Sequence, residues 1–198
     1  MGRRRGEVLD RALLEAACAE LADHGYAGFT LEAVAARAGT STPVLYRRWP
    51  NKRELLRAAI GHTARSIEFE VPDTGNLRGD ILDLMVQANR TDRGLLTMIN
   101  VQLGGGFFQE TGTSPAELIE DLGPDLPLVR AVDAVYRCAA ERGEIDAERL
   151  TDRMRELPFV LLRSELMMTL RPASTAVLEE IVDTLYLPLV HNRCSPSG

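Results

Sequence analysis

The sequence predicts an all-α protein of about nine helices, with an N-terminal three-helix unit carrying a helix-turn-helix and a larger helical body behind it. Three observations carry that expectation. Leu and Ala dominate while aromatic residues make up 5% of the 198 positions, a composition that suits helices better than sheets. Apolar residues recur at spacings of three and four, the helical period, rather than alternating. Residues 25–56 also hold two short helix signatures separated by a glycine-containing turn, which is the layout of a helix-turn-helix.

The first helix is marked by Leu9, Leu13, Ala17 and Leu21 at four-residue intervals, flanked by Val8, Ala12 and Ala16. It should stop at "HGYAG", with Gly25 past its end and His24 where the helix dipole favours a cation. A second, short helix follows: Thr30 caps it, Glu32 puts a carboxylate in its first turn, and Leu31, Val34, Ala35 and Ala38 share one face before Gly39 ends it. The third begins almost at once, with Thr42 as N-cap and Pro43 at N1. Pro50 keeps it from running past Trp49. Asn51 then caps a fourth helix with Glu54 three residues on, and this helix runs through "LLRAAIGHTARSIEF". On the third helix Leu45 and Trp49 can pack inward. Pro43, Val44, Arg47 and Arg48 are left outward with Tyr46 at the edge, a face suited to phosphates and guanines.

"VPDTGN" reads as a turn or short linker, and the chain is expected to divide into a DNA-binding part, residues 1–60, and a helical body, residues 61–198. In the second part, Leu77, Ile81, Leu84 and Met85 stripe one helix and "GLLTMINVQL" reads as another. "GGGFFQETGTSP" reads as a flexible loop over an apolar cavity; with no G-K-[ST] after its glycines it is no P-loop. "LPLVRAVDAVYRCAAERGEI" is a helix closed by Gly143, with Val129, Val132, Val135 and Tyr136 near one face. The last fifty residues give two apolar helices joined by "RPAS", with Pro158 bending the first and Ser174 capping the second. Helices this apolar want more cover than a small chain supplies. A two-fold four-helix bundle of two copies would supply it, with an ordinary internal core as the alternative. The bundle would put Leu161, Glu165 and Met168 of one helix and Val177, Ile181 and Leu185 of the other at a dimer interface.

Charge is unevenly placed. Residues 1–60 carry ten Arg or Lys against seven Asp or Glu, a balance of +3, which leaves −9 for the rest of a chain whose formal charge is −6. A basic head on an acidic body points to a polyanionic partner for the head. No apolar run is long enough to span a membrane, and "MGRRRG" lacks the apolar stretch of a secretory signal. Cys18, Cys138 and Cys194 form no paired motif, which fits a cytoplasmic protein with idle thiols. His24, His62 and His191 show no metal-ligand spacing and no G-x-S-x-G is present, so the expectation is neither an enzyme nor a metal or cofactor protein.

"GYAGFTLEAVAARAGTSTPVLYRRWPNKRELL", Gly25 to Leu56, resembles the N-terminal domain of the TetR/AcrR family of bacterial transcriptional regulators. The resemblance covers roughly residues 8–60 and rests on a Gly-x-x-x-x-Thr entry, an alanine-rich second helix and the block Leu45, Tyr46, Trp49, Lys52. It implies a homodimer on a palindromic double-stranded DNA operator, repression by occlusion, and release when a small-molecule effector fills the C-terminal domain. It also implies that Thr30, Tyr46 and Lys52 hold phosphates, and that Ser41, Thr42, Pro43, Val44 and Arg47 lie on the DNA face, with Arg48 open to either role. The chemistry agrees: a hydroxyl, a phenol and an ammonium are good phosphate ligands, and Arg47 can fork onto guanine. Arg3, Arg4 and Arg5 could form a minor-groove arm or simply lie in solvent. Glu32 is a misfit on a phosphate-facing helix. Candidate effector-pocket residues are Met85, Asn89, Met98, Gln102, Phe107, Phe108, Tyr136, Phe159 and Arg163. An activator of the same fold and a helical protein-interaction adaptor are the alternative readings.

Overall fold

Every regular element among the described residues is a helix. The computed structural model describes residues 2–97, 106–112, 114–123 and 126–194, without the side chains of 2–5, 91–97, 111, 115, 116, 118, 119 and 192–194. In order these are α1 (Gly2–Gly28), α2 (Leu31–Arg37), α3 (Thr42–Tyr46), α4 (Lys52–Ser66), α5 (Leu77–Thr97), α6 (Phe107–Thr111), α7 (Pro115–Leu122), α8 (Pro127–Glu141), α9 (Asp152–Thr169), α10 (Thr175–Glu180) and α11 (Leu187–Cys194). The chain packs as two compact units, Met1–Ile67 with Thr97–Pro124, and Glu68–Leu96 with Asp125–Gly198. This differs from a single cut near residue 60, because the stretch after α5 returns to the first unit.

In the first unit α1 packs on α4 and α2. Leu13, Ala17 and Leu21 of α1, Leu55, Leu56, Ala59 and Ile60 of α4, and Val34 of α2 are all fully buried. Burial of each such leucine contributes about 1.5–3 kcal/mol. Gly25 breaks α1 where the sequence places a stop: its φ of 65° and ψ of 179° are non-helical, a conformation glycine reaches without a Cβ clash. Thr30 caps α2, accepting from Ala33 N at 3.1 Å. The α2–α3 turn is a Schellman motif, with Gly39 N donating to Ala36 O at 3.1 Å and Thr40 N to Ala35 O at 2.9 Å, and Gly39 supplies the positive φ it needs. The N-cap of α3 is Ser41 rather than Thr42, one residue earlier than the sequence suggests. Asn51 caps α4, accepting from Glu54 N at 2.9 Å.

The segment expected to be a loop over a cavity is largely helical where described. Phe107 opens α6 and is buried against Tyr26, ring edge to face at 5.5 Å. Ser114 starts α7 with a full capping box, its hydroxyl accepting from Glu117 N at 3.1 Å while the Glu117 carboxylate accepts from Ser114 N at 2.6 Å. "SPAE" carries that signal in the sequence, and it outweighs the glycines and Thr113 before it. Leu122 at the end of α7 sits against Gly61 of α4.

The second unit has its own core, centred on Leu77, Ile81, Leu84 and Met85 of α5, Val135 and Tyr136 of α8, Phe159 and Leu162 of α9, and Val182 and Tyr186 beyond α10. The α5 stripe is as expected. On α8 the face is rotated from expectation: Ala131 is buried and Val129 is exposed. α9 runs on through Pro158, which leaves the Met154 carbonyl without its helical donor. One residue further, Tyr136 Oη donates to Arg155 O at 2.9 Å. Ser174 caps α10, and a π-helical turn over Ile181–Tyr186 carries α10 into α11. That turn sets Tyr186 Oη to donate to Tyr136 Oη at 2.8 Å.

Candidate nucleic-acid interface

The helix-turn-helix is held from behind. α3 has five residues, too few to be stable alone. Leu45 fixes it by full burial, and Trp49 lies half-buried beyond its end. Ser41, Pro43, Tyr46 and Arg47 are exposed, and Thr42 and Val44 half-buried. Five of the expected contact residues therefore stand on one short helix and its N-cap with solvent access. Thr30 is exposed too, although its hydroxyl is engaged in capping α2. Glu32 is exposed two residues later. The side chains of Arg3, Arg4 and Arg5 lie outside the described residues.

The cations on this face differ in their surroundings. Arg47 is exposed, and its guanidinium has no partner among the described residues. Arg48 is turned back onto α1, paired with Asp10 and donating from Nη1 to Val44 O at 3.2 Å. Lys52 donates to Tyr26 O at 3.1 Å, with its ammonium 3.7 Å above the Tyr26 ring. Tyr26 stays neutral beneath it: burial, with the Glu110 carboxylate adding to it, pushes its hydroxyl up to about 12. Periodicity gave no sign of either tether, since both partners come from α1, far off in sequence. Arg37 is likewise occupied, by Glu20 at 2.8 Å and Asp23 at 2.6 Å, tying α2 to α1.

The described residues among those expected to hold an effector fall in both units. Met98 and Gln102 lie outside the described residues. Phe107 and Phe108 belong to the first unit, at Tyr26. Met85, Tyr136 and Phe159 are core residues of the second, and Arg163 is half-buried there. Asn89 is committed to Ala173, donating to its carbonyl and accepting from its N–H, both at 2.9 Å. A cleft of about 440 Å³ beside α8 is lined by Tyr136, Arg137 and Arg155 among others. In the first unit a cleft of about 480 Å³ lies between α1 and α4 at Arg11, Cys18 and His62. Burial pushes the Cys18 thiol up, so it is a poor nucleophile. Among the described residues no three His, Cys, Asp or Glu side chains gather as a metal site would require, and none of the helices is long and apolar enough to cross a membrane.

Of the expected dimer residues, Met168 is 80% and Leu185 48% exposed, while Leu161, Glu165 and Val177 are half-buried. Ile181 is buried in the chain's own core, on the same helical face as Leu178 and Val182. Val160, Met167, Leu170 and Leu189 add exposed apolar surface on the same helices or at their ends.

Residues 13–59 match the model of the bacterial regulatory proteins of the tetR family, and residues 71–185 match the tetracyclin repressor-like C-terminal domain. The chain is 42% identical over 91 residues to the DNA-binding transcriptional repressor TetR of Mycobacteroides abscessus, covering 46% of this chain and 48% of that one, so it spans about half the length of that relative. It is 31% identical over 181 residues to an uncharacterized HTH-type transcriptional regulator of Mycobacterium tuberculosis, covering 85% of this chain and 81% of the other. Among solved structures, a TetR-family transcriptional regulator from Mesorhizobium loti superimposes with a TM-score of 0.63 at 18% identity, over 96% of this chain and 98% of that one. FadR from Bacillus subtilis, solved in complex with stearoyl-CoA, does so with 0.66 at 14% identity, over 88% and 98%. The helix-turn-helix and the helical body are thus matched in order and over most of the chain, and the chain belongs to the TetR family of bacterial regulatory proteins.

Proposed function

We propose that this protein is a homodimeric repressor that occludes a palindromic operator and leaves it when a small-molecule effector binds its helical body. The observation that carries this reading is the α3 face. Pro43 stands exposed, Val44 half-exposed and Arg47 exposed at the C-cap of a helix whose other side is locked by Leu45. Arg47 would fork onto guanine O6 and N7, and Val44 would meet a thymine methyl. Thr30, Tyr46 and Lys52 would hold phosphates, which fix register without reading sequence.

Two such faces must lie about 34 Å apart to enter successive major grooves, so the reading requires a two-fold dimer. The exposed Met168, Leu170 and Leu185 support one. FadR's stearoyl-CoA complex supports an effector in a body of this fold. By linkage, an effector that releases DNA binds the DNA-free protein more tightly. The route favoured for that coupling is the stretch 97–124, which follows α5 in sequence and packs in the DNA-binding unit through Phe107 and Leu122.

Footprinting of the purified protein on the DNA upstream of its own gene, at moderate salt, tests the proposal. A protected site with two-fold symmetry is the expected result. No protection, together with no salt-sensitive binding to pooled genomic fragments, would overturn it.

A further inference from the structure

Arg47 and Arg48 are neighbours in sequence and opposites in state. Arg47 is exposed and its guanidinium has no partner among the described residues. Arg48 is 20% exposed, with its Nε paired to the Asp10 carboxylate and Nη1 on the carbonyl of Val44. That carbonyl belongs to the last turn of α3, where helix oxygens lack intrahelical donors and a cation is favoured. Asp10 lies on α1, thirty-eight residues away, so the pair ties the end of α3 to the first helix of the unit.

Two free guanidiniums side by side would attract any phosphate backbone, and every phosphate neutralised adds affinity that carries no sequence information. We infer that Asp10 is a specificity-determining positioning residue: by engaging Arg48 it withholds one of the two cations from the DNA backbone and leaves Arg47 as the guanidinium offered to base edges. This inference rests on the reading of α3 as the DNA-facing helix. It assigns to an acidic residue of α1, outside the contact surface, control over the balance between specific and indiscriminate binding.

The test uses a random-sequence duplex, so no operator need be known. The full chain and the variants Asp10→Asn, Arg48→Ala, the double variant and Arg47→Ala are titrated by fluorescence anisotropy across a salt series. Asp10→Asn should bind random DNA several-fold more tightly at low salt. Its plot of log K against log salt should steepen by about 0.9 for each recognition helix, the increment of one added phosphate contact. In the Arg48→Ala background the same Asp10→Asn change should leave the slope where it was.

Weaker binding with an unchanged slope on Asp10→Asn would overturn the inference and leave the pair a mere pin for α3. Equal steepening with and without Arg48 would also overturn it, since the effect would then be loss of a repulsive charge near DNA. The underlying reading fails separately, if the parent chain shows no salt-dependent binding to the duplex at all. Circular dichroism melts check folding of each variant, and Asp10→Ala replaces Asp10→Asn if the latter does not fold.

Discussion

Lys52 is the one lysine of the chain, and its ammonium already has two partners, the Tyr26 carbonyl and the Tyr26 ring. A phosphate can still take one of its three N–H donors, so the tether would orient the cation rather than consume it. Lys52→Ala should weaken binding to operator and random DNA alike and lower the salt slope by about one. A direct check is amine labelling followed by peptide mapping: saturating DNA should protect Lys52, and unchanged labelling would count against the contact. How much of this site was legible is uneven. The residue types on α3 were readable because Pro43 and Pro50 bracket the helix and Leu45 sets its inward side. The pairing of Arg48 with Asp10 was not, since nothing local in the sequence says which of two adjacent arginines finds a carboxylate from another helix.

The short elements of the first unit depend on their ends. α2 has seven residues and α3 five, so caps and turn geometry decide whether they form. Thr30→Ala should cost about 1 kcal/mol of stability through the lost cap. Gly39→Ala should cost a similar amount, about 1–2 kcal/mol, because φ of +65° is unfavourable for any residue with a Cβ. Thermal melts of both variants measure this, and melting temperatures unchanged from the parent would remove the caps from the account. Helices with clear caps were legible in advance, among them α2, α4 and α10. α7 was legible in principle, through "SPAE". The face of α8 was not legible, because several valines compete with small alanines for the interior, and the core takes Ala131 while Val129 stays exposed. The π turn at Ile181–Tyr186 has no sequence mark.

At the scale of the molecule, the last helices of the second unit leave several large apolar side chains in solvent: Val160, Met167, Met168, Leu170, Leu185 and Leu189. Exposed surface of this kind, concentrated on the last helices and absent from their buried sides, is what an isologous contact requires. Replacing Met168 and Leu185 together by Asp should yield monomers on sizing or light scattering while the helical content stays that of the parent. DNA binding should fall steeply, because one recognition helix loses the partner that shares its site. A dimer that survives both charges would place the interface elsewhere. The basic balance of residues 1–60 was visible in charge alone. The return of residues 97–124 to the first unit was not, because Tyr26 and Phe107 meet across some eighty residues of chain.

Base reading by the outward face of α3 stands or falls with Arg47→Ala. Affinities of the parent and the variant are measured on the footprinted operator and on a random duplex, at one salt concentration. The expected result is a loss of about 1–3 kcal/mol on the operator and a smaller loss on random DNA, so that the specificity ratio shrinks. Equal losses on both would reduce Arg47 to a phosphate ligand and contradict the claim.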